Sequence, residues 1–202
     1  KKIDYFSSIS VNHESGMLKN RSKDFFSYNN NIDVMRYAFQ NNINAYLSKS
    51  SKLSVRLNVQ LRDLREPNSG IDDIFADAMN SSPVEAPVFY EPDGTTNHVK
   101  WGTTDRLITA YQGNPVAQLT TGYNDTFEST VIAALEFEQK LDFLTKGLRF
   151  KALGTFKNWS KSINKYSAGW NKYLLGSYEQ NEDGSYSYTT NRVGNEVSTD
   201  LN

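Results

Sequence analysis

The stretch DVMRYAFQNNINAYLSKSSKLSVRLNVQLRDL, Asp33 to Leu64, decides how the chain folds. From Leu53 onward Leu53, Val55, Leu57, Val59 and Leu61 alternate with Ser54, Arg56, Asn58, Gln60 and Arg62, the period of a β-strand. Before it, Met35, Tyr37, Phe39, Ile43, Ala45 and Leu47 share one parity, and Arg36, Gln40, Asn42 and Asn44 the other. Ser48 to Lys52 reads as the turn between two antiparallel strands. Pairing Leu47 with Leu53 sets Val55 against Ala45, Leu57 against Ile43, Leu61 against Phe39 and Asn44 against Arg56. One face is then apolar except at Asn41.

The other face is rich in Arg, Asn and Gln, which an antiparallel sheet in water also tolerates. Length separates the cases, because these strands run to about a dozen residues where soluble strands usually have about five or six. At roughly 3.3 Å per residue Tyr37 to Leu47 spans about 33 Å, and a tilt near 40° projects this to about 25 Å. That is the height of the apolar band of an outer-membrane barrel.

Composition sets outer bounds. The 202 residues carry 22 Lys+Arg and 23 Asp+Glu, a formal charge of −1, so nucleic acid is not indicated as a partner. There is no cysteine, and no apolar run long enough for a membrane helix. Any membrane insertion therefore goes through strands. The mean hydropathy of −0.62 fits a soluble protein and equally a barrel that turns its polar half to the lumen. The chain opens Lys1-Lys2-Ile3 and closes Leu201-Asn202 with no terminal strand signature, and is read as a fragment.

Ile3, Tyr5, Ile9 and Val11 alternate as a first strand, followed by a polar loop from His13 to Asn31. His13 and His98 stand in different loops without clustered carboxylates, and both read as surface residues, not metal ligands. Arg65 to Tyr123 is a long connection with one expected helix, Ile71 to Asn80. Ser69 and Asp72 stand at capping-box spacing there, Ile71, Ile74, Phe75, Ala78 and Met79 form an apolar stripe, and Pro83 bars continuation. The stripe packs on the loop or docks a partner.

A second hairpin follows, with Phe127, Val131, Ala133, Leu135 and Phe137 alternating with Glu128, Thr130, Glu136 and Glu138. After the turn Leu148, Phe150, Ala152 and Phe156 alternate with Arg149, Lys151, Thr155 and Lys157. Glu138 is expected to face Arg149, and Glu136 to face Lys151. These cations keep both carboxylates charged, so no acid–base pair and no enzyme is read here. Connections alternate short and long, as barrels alternate periplasmic turns with extracellular loops. Tyr37, Phe39, Phe127 and Phe156 then lie at the outer end of the apolar face, Phe137 and Phe150 at the inner end, as two aromatic belts. From Ser160 the chain reads as an extracellular excursion with a hairpin turn at Asn181 to Gly184.

The runs FQNNINAYLSKSSKLSVRLNVQLRD (Phe39 to Asp63), NPVAQLTTGYNDTFESTVIAALEFEQKLDFLTKGLRFKALGTFKNWS (Asn114 to Ser160) and SGMLKN (Ser15 to Asn20) resemble the barrel region of SusC/RagA-type TonB-linked outer-membrane proteins of Bacteroidetes. The resemblance implies an all-β fold in which residues 1–202 are antiparallel transmembrane staves of a larger barrel of 22 strands closed round a plug that is not in this chain. It implies import of glycans or peptides driven through TonB, under a SusD-like surface lipoprotein, in the outer membrane. Five or six strands are too few to close a barrel alone. The polar faces would line the lumen through Gln40, Asn44, Arg56, Asn58, Glu136, Glu138, Arg149 and Lys151. Tyr90, Trp101, Tyr111, Trp170 and Tyr173 in the loops are the expected substrate contacts. No cofactor or metal is expected. The alternative is a soluble all-β, lectin-like carbohydrate-binding module whose apolar face is a core.

Overall fold

The computed structural model describes residues 2–17, 22–29, 31–81, 87–104 and 113–201. In chain order the elements are β1 (Ile3–Ser15), α1 (Ser22–Phe25), β2 (Asp33–Tyr46), β3 (Ser51–Pro67), α2 (Ile71–Asn80), β4 (Phe89–Tyr90), β5 (Lys100–Gly102), α3 (Pro115–Thr120), β6 (Gly122–Lys140), β7 (Arg149–Ser167), β8 (Lys172–Gln180) and β9 (Tyr186–Val193). The fold is all-β with short helices. Its sheets are antiparallel apart from one short parallel pair, and they do not close into a barrel. Contacts divide the chain into two units: Lys1–Ser15 with Asp33–Leu64 and Asp125–Ile163, and Gly16–Ile32 with Arg65–Asn124 and Asn164–Asn202.

In the first unit the strands lie in the order β1-β2-β3-β6-β7. β1 pairs antiparallel with β2, with Tyr5 opposite Ile43, Ile9 opposite Phe39 and Val11 opposite Tyr37, so apolar parities meet. The β2–β3 turn is tighter than the sequence suggests. Leu47 N–H donates to the Ser51 carbonyl at 3.0 Å and Ser54 Oγ bonds Asn44 Oδ1 at 2.7 Å, leaving only Ser48 to Ser50 as the turn. Leu47 therefore faces Ser51 rather than Leu53, and Asn44 faces Ser54 rather than Arg56. The shift is two residues, which preserves every side chain's face.

β3 and β6 are tied by Lys140 N–H to the Ser50 carbonyl at 2.7 Å and by Arg62 to Glu128 at 3.1 Å, contacts that fit one antiparallel register. β6 and β7 are tied by Leu141 N–H to the Leu148 carbonyl at 2.8 Å and by Lys161 to Glu128 at 3.1 Å. In that register Glu136–Lys151 and Glu138–Arg149 meet as diagonal neighbours instead of directly opposed. β6 and β7 each run to 19 residues, so β7 continues to Ser167 through residues read from sequence as loop.

The two faces of this sheet are not buried as a soluble sheet's would be. On the apolar parity Tyr5 is 79% and Ile9 76% exposed, and Ile43, Val55, Phe127, Leu135, Phe150 and Phe156 are also exposed. On the polar parity Ser54 is 1% and Glu136 8% exposed, and the buried Val34 and Leu64 share that side. Large apolar side chains are thus bare on one face, while on the other Glu136 is sheltered between Arg56 and Lys151, which are themselves more than half exposed.

The second unit has a sheet ordered β4-β5-β8-β9, with β5 parallel to β8 and the other pairs antiparallel. Trp101 sits at its centre, 1% exposed, with the Phe25 ring 5.0 Å away, and Phe25 meets Phe89 edge-on at 5.3 Å. Asn114 holds the layers together. Its Oδ1 caps α3 by accepting from Val116 and Ala117 N–H, and its Nδ2 donates to the carbonyls of Val88 and Gly102. A Cβ on Gly102 would lie 1.9 Å from the Pro87 carbonyl oxygen, so only glycine fits. The expected β8–β9 turn is present: Asn181 N–H donates to the Ser185 carbonyl, and Gly184 takes φ +81.

Helix α2 has the expected bounds but not the expected cap. Gly70 is the N-cap and no side chain bonds the helix start, so the Ser69–Asp72 capping box is not formed. Ile74 is buried, whereas Phe75 and Met79 are exposed, Met79 at 86%, so the stripe is only partly covered. Pro83 lies outside the described residues.

Candidate functional site

The polar face of the five-stranded sheet carries a ladder of ion pairs. Glu136 lies 3.1 Å from Lys151 on β7 and 3.7 Å from Arg56 on β3. Nearer the long loops Glu128 is held between Arg62 and Lys161, each at 3.1 Å. Arg149 reaches Glu138 at 3.7 Å, and Arg36 bonds Glu14. Opposite charges thus meet across neighbouring strands on this face, each carboxylate accepting from or lying beside a cation. Exposed pairs are worth little singly, but a network beside a sheltered carboxylate fixes side-chain positions. All eight residues expected to line a lumen have this parity: Gln40, Asn44, Arg56, Asn58, Glu136, Glu138, Arg149 and Lys151.

On the same face lies a cavity of about 340 Å³ to which all five strands contribute. The registers align Ser10, Ala38, Gln60, Thr130 and Trp159 in one row across the sheet. Asn12, Arg36, Arg62 and Glu128 line it from the next row toward the long loops. Small side chains at Ser10, Ala38 and Thr130 form the floor, and Trp159, 62% exposed, forms one end. The hollow spans the sheet from one outer strand to the other. The sequence reading missed Trp159, although its parity with Thr155 and Lys157 already placed it on this side.

The loop aromatics lie otherwise than expected. Tyr90, Trp101 and Tyr173 are buried, at 6%, 1% and 4%, so their rings are packing for the second unit and open no face to a substrate. Trp170 is half-buried with Lys172 Nζ 4.8 Å from its ring centre, and it alone of the described four keeps accessible surface. Tyr111 lies outside the described residues.

Lys100 is a buried cation in this unit, 5% exposed, bonded to Asp93 at 2.5 Å and Thr95 at 2.9 Å, with its ammonium 5.4 Å from the Tyr173 ring centre. The Lys100 and Thr95 bonds hold the Asp93 carboxyl well below the usual carboxylate range. Tyr28 accepts Gly122 N–H and donates to the Thr120 carbonyl, and burial raises its hydroxyl above the ordinary value. Tyr123 and Tyr166 stack at 4.8 Å under Arg65, 4.8 Å above the Tyr123 ring.

His13 is exposed and bonds Asp33 at 2.8 Å. His98 corrects the surface reading: its side chain is buried, with Nε2 2.9 Å from Tyr173 OH and Nδ1 3.5 Å from Glu196. Among the described residues no three His, Cys, Asp or Glu come together as a metal-ligand group. Compared with protein-family models, curated proteins and solved structures, the chain matches none.

Proposed function

We propose that this chain forms consecutive staves of the β-barrel of a TonB-dependent outer-membrane transporter of the SusC/RagA type. The exposed hydrocarbon of the first unit carries the reading: Tyr5, Ile9, Phe127, Leu135, Phe150 and Phe156 stand bare on the apolar face, and the opposite face holds the cross-strand ion pairs and the hollow. A soluble lectin-like sandwich needs a second layer on the apolar side, whereas a barrel gives that side to lipid and the polar side to the lumen. The sheet edges agree. β7 is exposed along all 19 residues, a long open edge that invites aggregation in a soluble protein and is paired by the next stave in a barrel. No described helix is long and apolar enough to cross a membrane, a criterion that does not apply to strands.

In this reading the barrel sits in the outer membrane and imports glycans or peptides, with energy delivered through TonB by parts of the protein outside this chain. A SusD-like lipoprotein covers the loop side, where α2 offers Phe75 and Met79. The test is single cysteines at Asn58 and Val59 in the full-length protein reconstituted in liposomes. A membrane-impermeant thiol reagent is expected to label Asn58→Cys, most readily once the plug is removed, while Val59→Cys stays protected and is quenched by lipid-borne spin labels. Equal labelling of the two, or a stable monomer in buffer without detergent, overturns the proposal.

A further inference from the structure

We infer that the hollow across the polar face is a carbohydrate subsite, with Trp159 as its stacking platform. The inference rests on the lumen reading and deepens it by choosing the substrate class.

The geometry favours a sugar. The floor row runs across the strands and offers the hydroxyls of Ser10 and Thr130 and the amide of Gln60, with the small Ala38 between them. Such groups both donate and accept, which matches a chain of sugar hydroxyls. Trp159, 62% exposed at the end of a polar row, offers the flat apolar surface of its indole to the C–H face of a pyranose, while the ring's hydroxyls turn to the Gln60 amide and the Ser10 and Thr130 hydroxyls. The cations flanking the row are engaged: Arg62 and Lys161 share Glu128, and Arg36 bonds Glu14. The hollow is therefore no cage for an anion. A peptide would bind by adding to a strand edge or by filling apolar side-chain pockets. The row crosses the strands instead of running along one, its outer strands are paired by neighbouring staves in the barrel reading, and its floor of Ser10, Ala38, Gln60 and Thr130 offers no apolar pocket.

The experiment uses the full-length protein in detergent and isothermal titration with two probe sets, neutral unbranched hexasaccharides of several linkages and a random hexapeptide mixture. At least one hexasaccharide is expected to bind. Trp159→Ala should weaken that binding about tenfold or more, equivalent to about 1.4 kcal/mol, while Trp159→Phe, which keeps a ring, should retain most of it. Both variants should keep the parent unfolding temperature, because Trp159 is exposed. Binding of peptides but no hexasaccharide, no hexasaccharide binding at all, or equal affinity of the Ala variant and the parent each overturn the inference. The cysteine labelling at Asn58 and Val59 separates the two readings. If it reports lumen and lipid while sugar binding fails, the subsite is wrong and the transporter stands; if it fails, the transporter reading falls first.

Discussion

The ammonium of Lys151 on β7 stands 3.1 Å from the Glu136 carboxylate on β6, and Leu135, next along β6, is half-exposed on the opposite face. Two adjacent residues thus divide the sheet into a charged side and a hydrocarbon side.

Glu136 also faces Arg56 at 3.7 Å, so Glu136→Gln leaves two cations without their shared anion. The variant is expected to unfold at a lower temperature in detergent than the parent. The gap should narrow at high salt, because screening weakens the repulsion it exposes. A salt-independent gap would mean that packing, not charge, holds this rung.

Leu57 has the apolar parity and lies midway along β3. Leu57→Arg should cost about 2 to 4 kcal/mol if this face meets the bilayer midplane, with a barrel that still folds. In a soluble core the same unpaired charge would abolish folding. Denaturant titration after refolding into lipid measures the difference.

Trp101 and Trp170 should part company. Trp101→Ala empties the centre of the second unit and is expected to cost about 3 to 5 kcal/mol, seen as rapid proteolytic nicking of the loops. Trp170→Ala, at a half-buried site, should change stability by less than about 1 kcal/mol.

The Asp93–Lys100 clamp is expected to make the second unit acid-sensitive. The folded-state carboxyl of Asp93 titrates below its unfolded value near 3.8. Its stabilisation is therefore complete above that value and is lost as pH falls below it. From about pH 4 down to about pH 2, protection of the loops from acid-active protease should fall in the parent. Asp93→Asn should start lower at neutral pH and change less over the same window.

The faces and the presence of the five long strands were legible in the sequence, because a strand's side-chain period is a local backbone property, but the end of β7 at Ser167 and the tight β2–β3 turn were not. Leu53 to Leu61 and Glu128 to Glu138 declare their sides without reference to any partner. Register was not legible. Moving Leu47 from Leu53 to Ser51 changes every cross-strand partner and no side chain's face, so alternation cannot detect it; the hydrogen bonds of the turn decide it. Burial of aromatics was equally out of reach. Trp101 and Trp159 stand in similar polar surroundings along the chain, yet Phe25 and the second sheet bury the first while the open face of the five-stranded sheet leaves the second bare. Alternation set the side on which Trp159 stands. Only the stacking of five strands in register set Ser10, Ala38, Gln60 and Thr130 in line with it and made a hollow there, because such a row joins residues more than a hundred positions apart that nothing local connects.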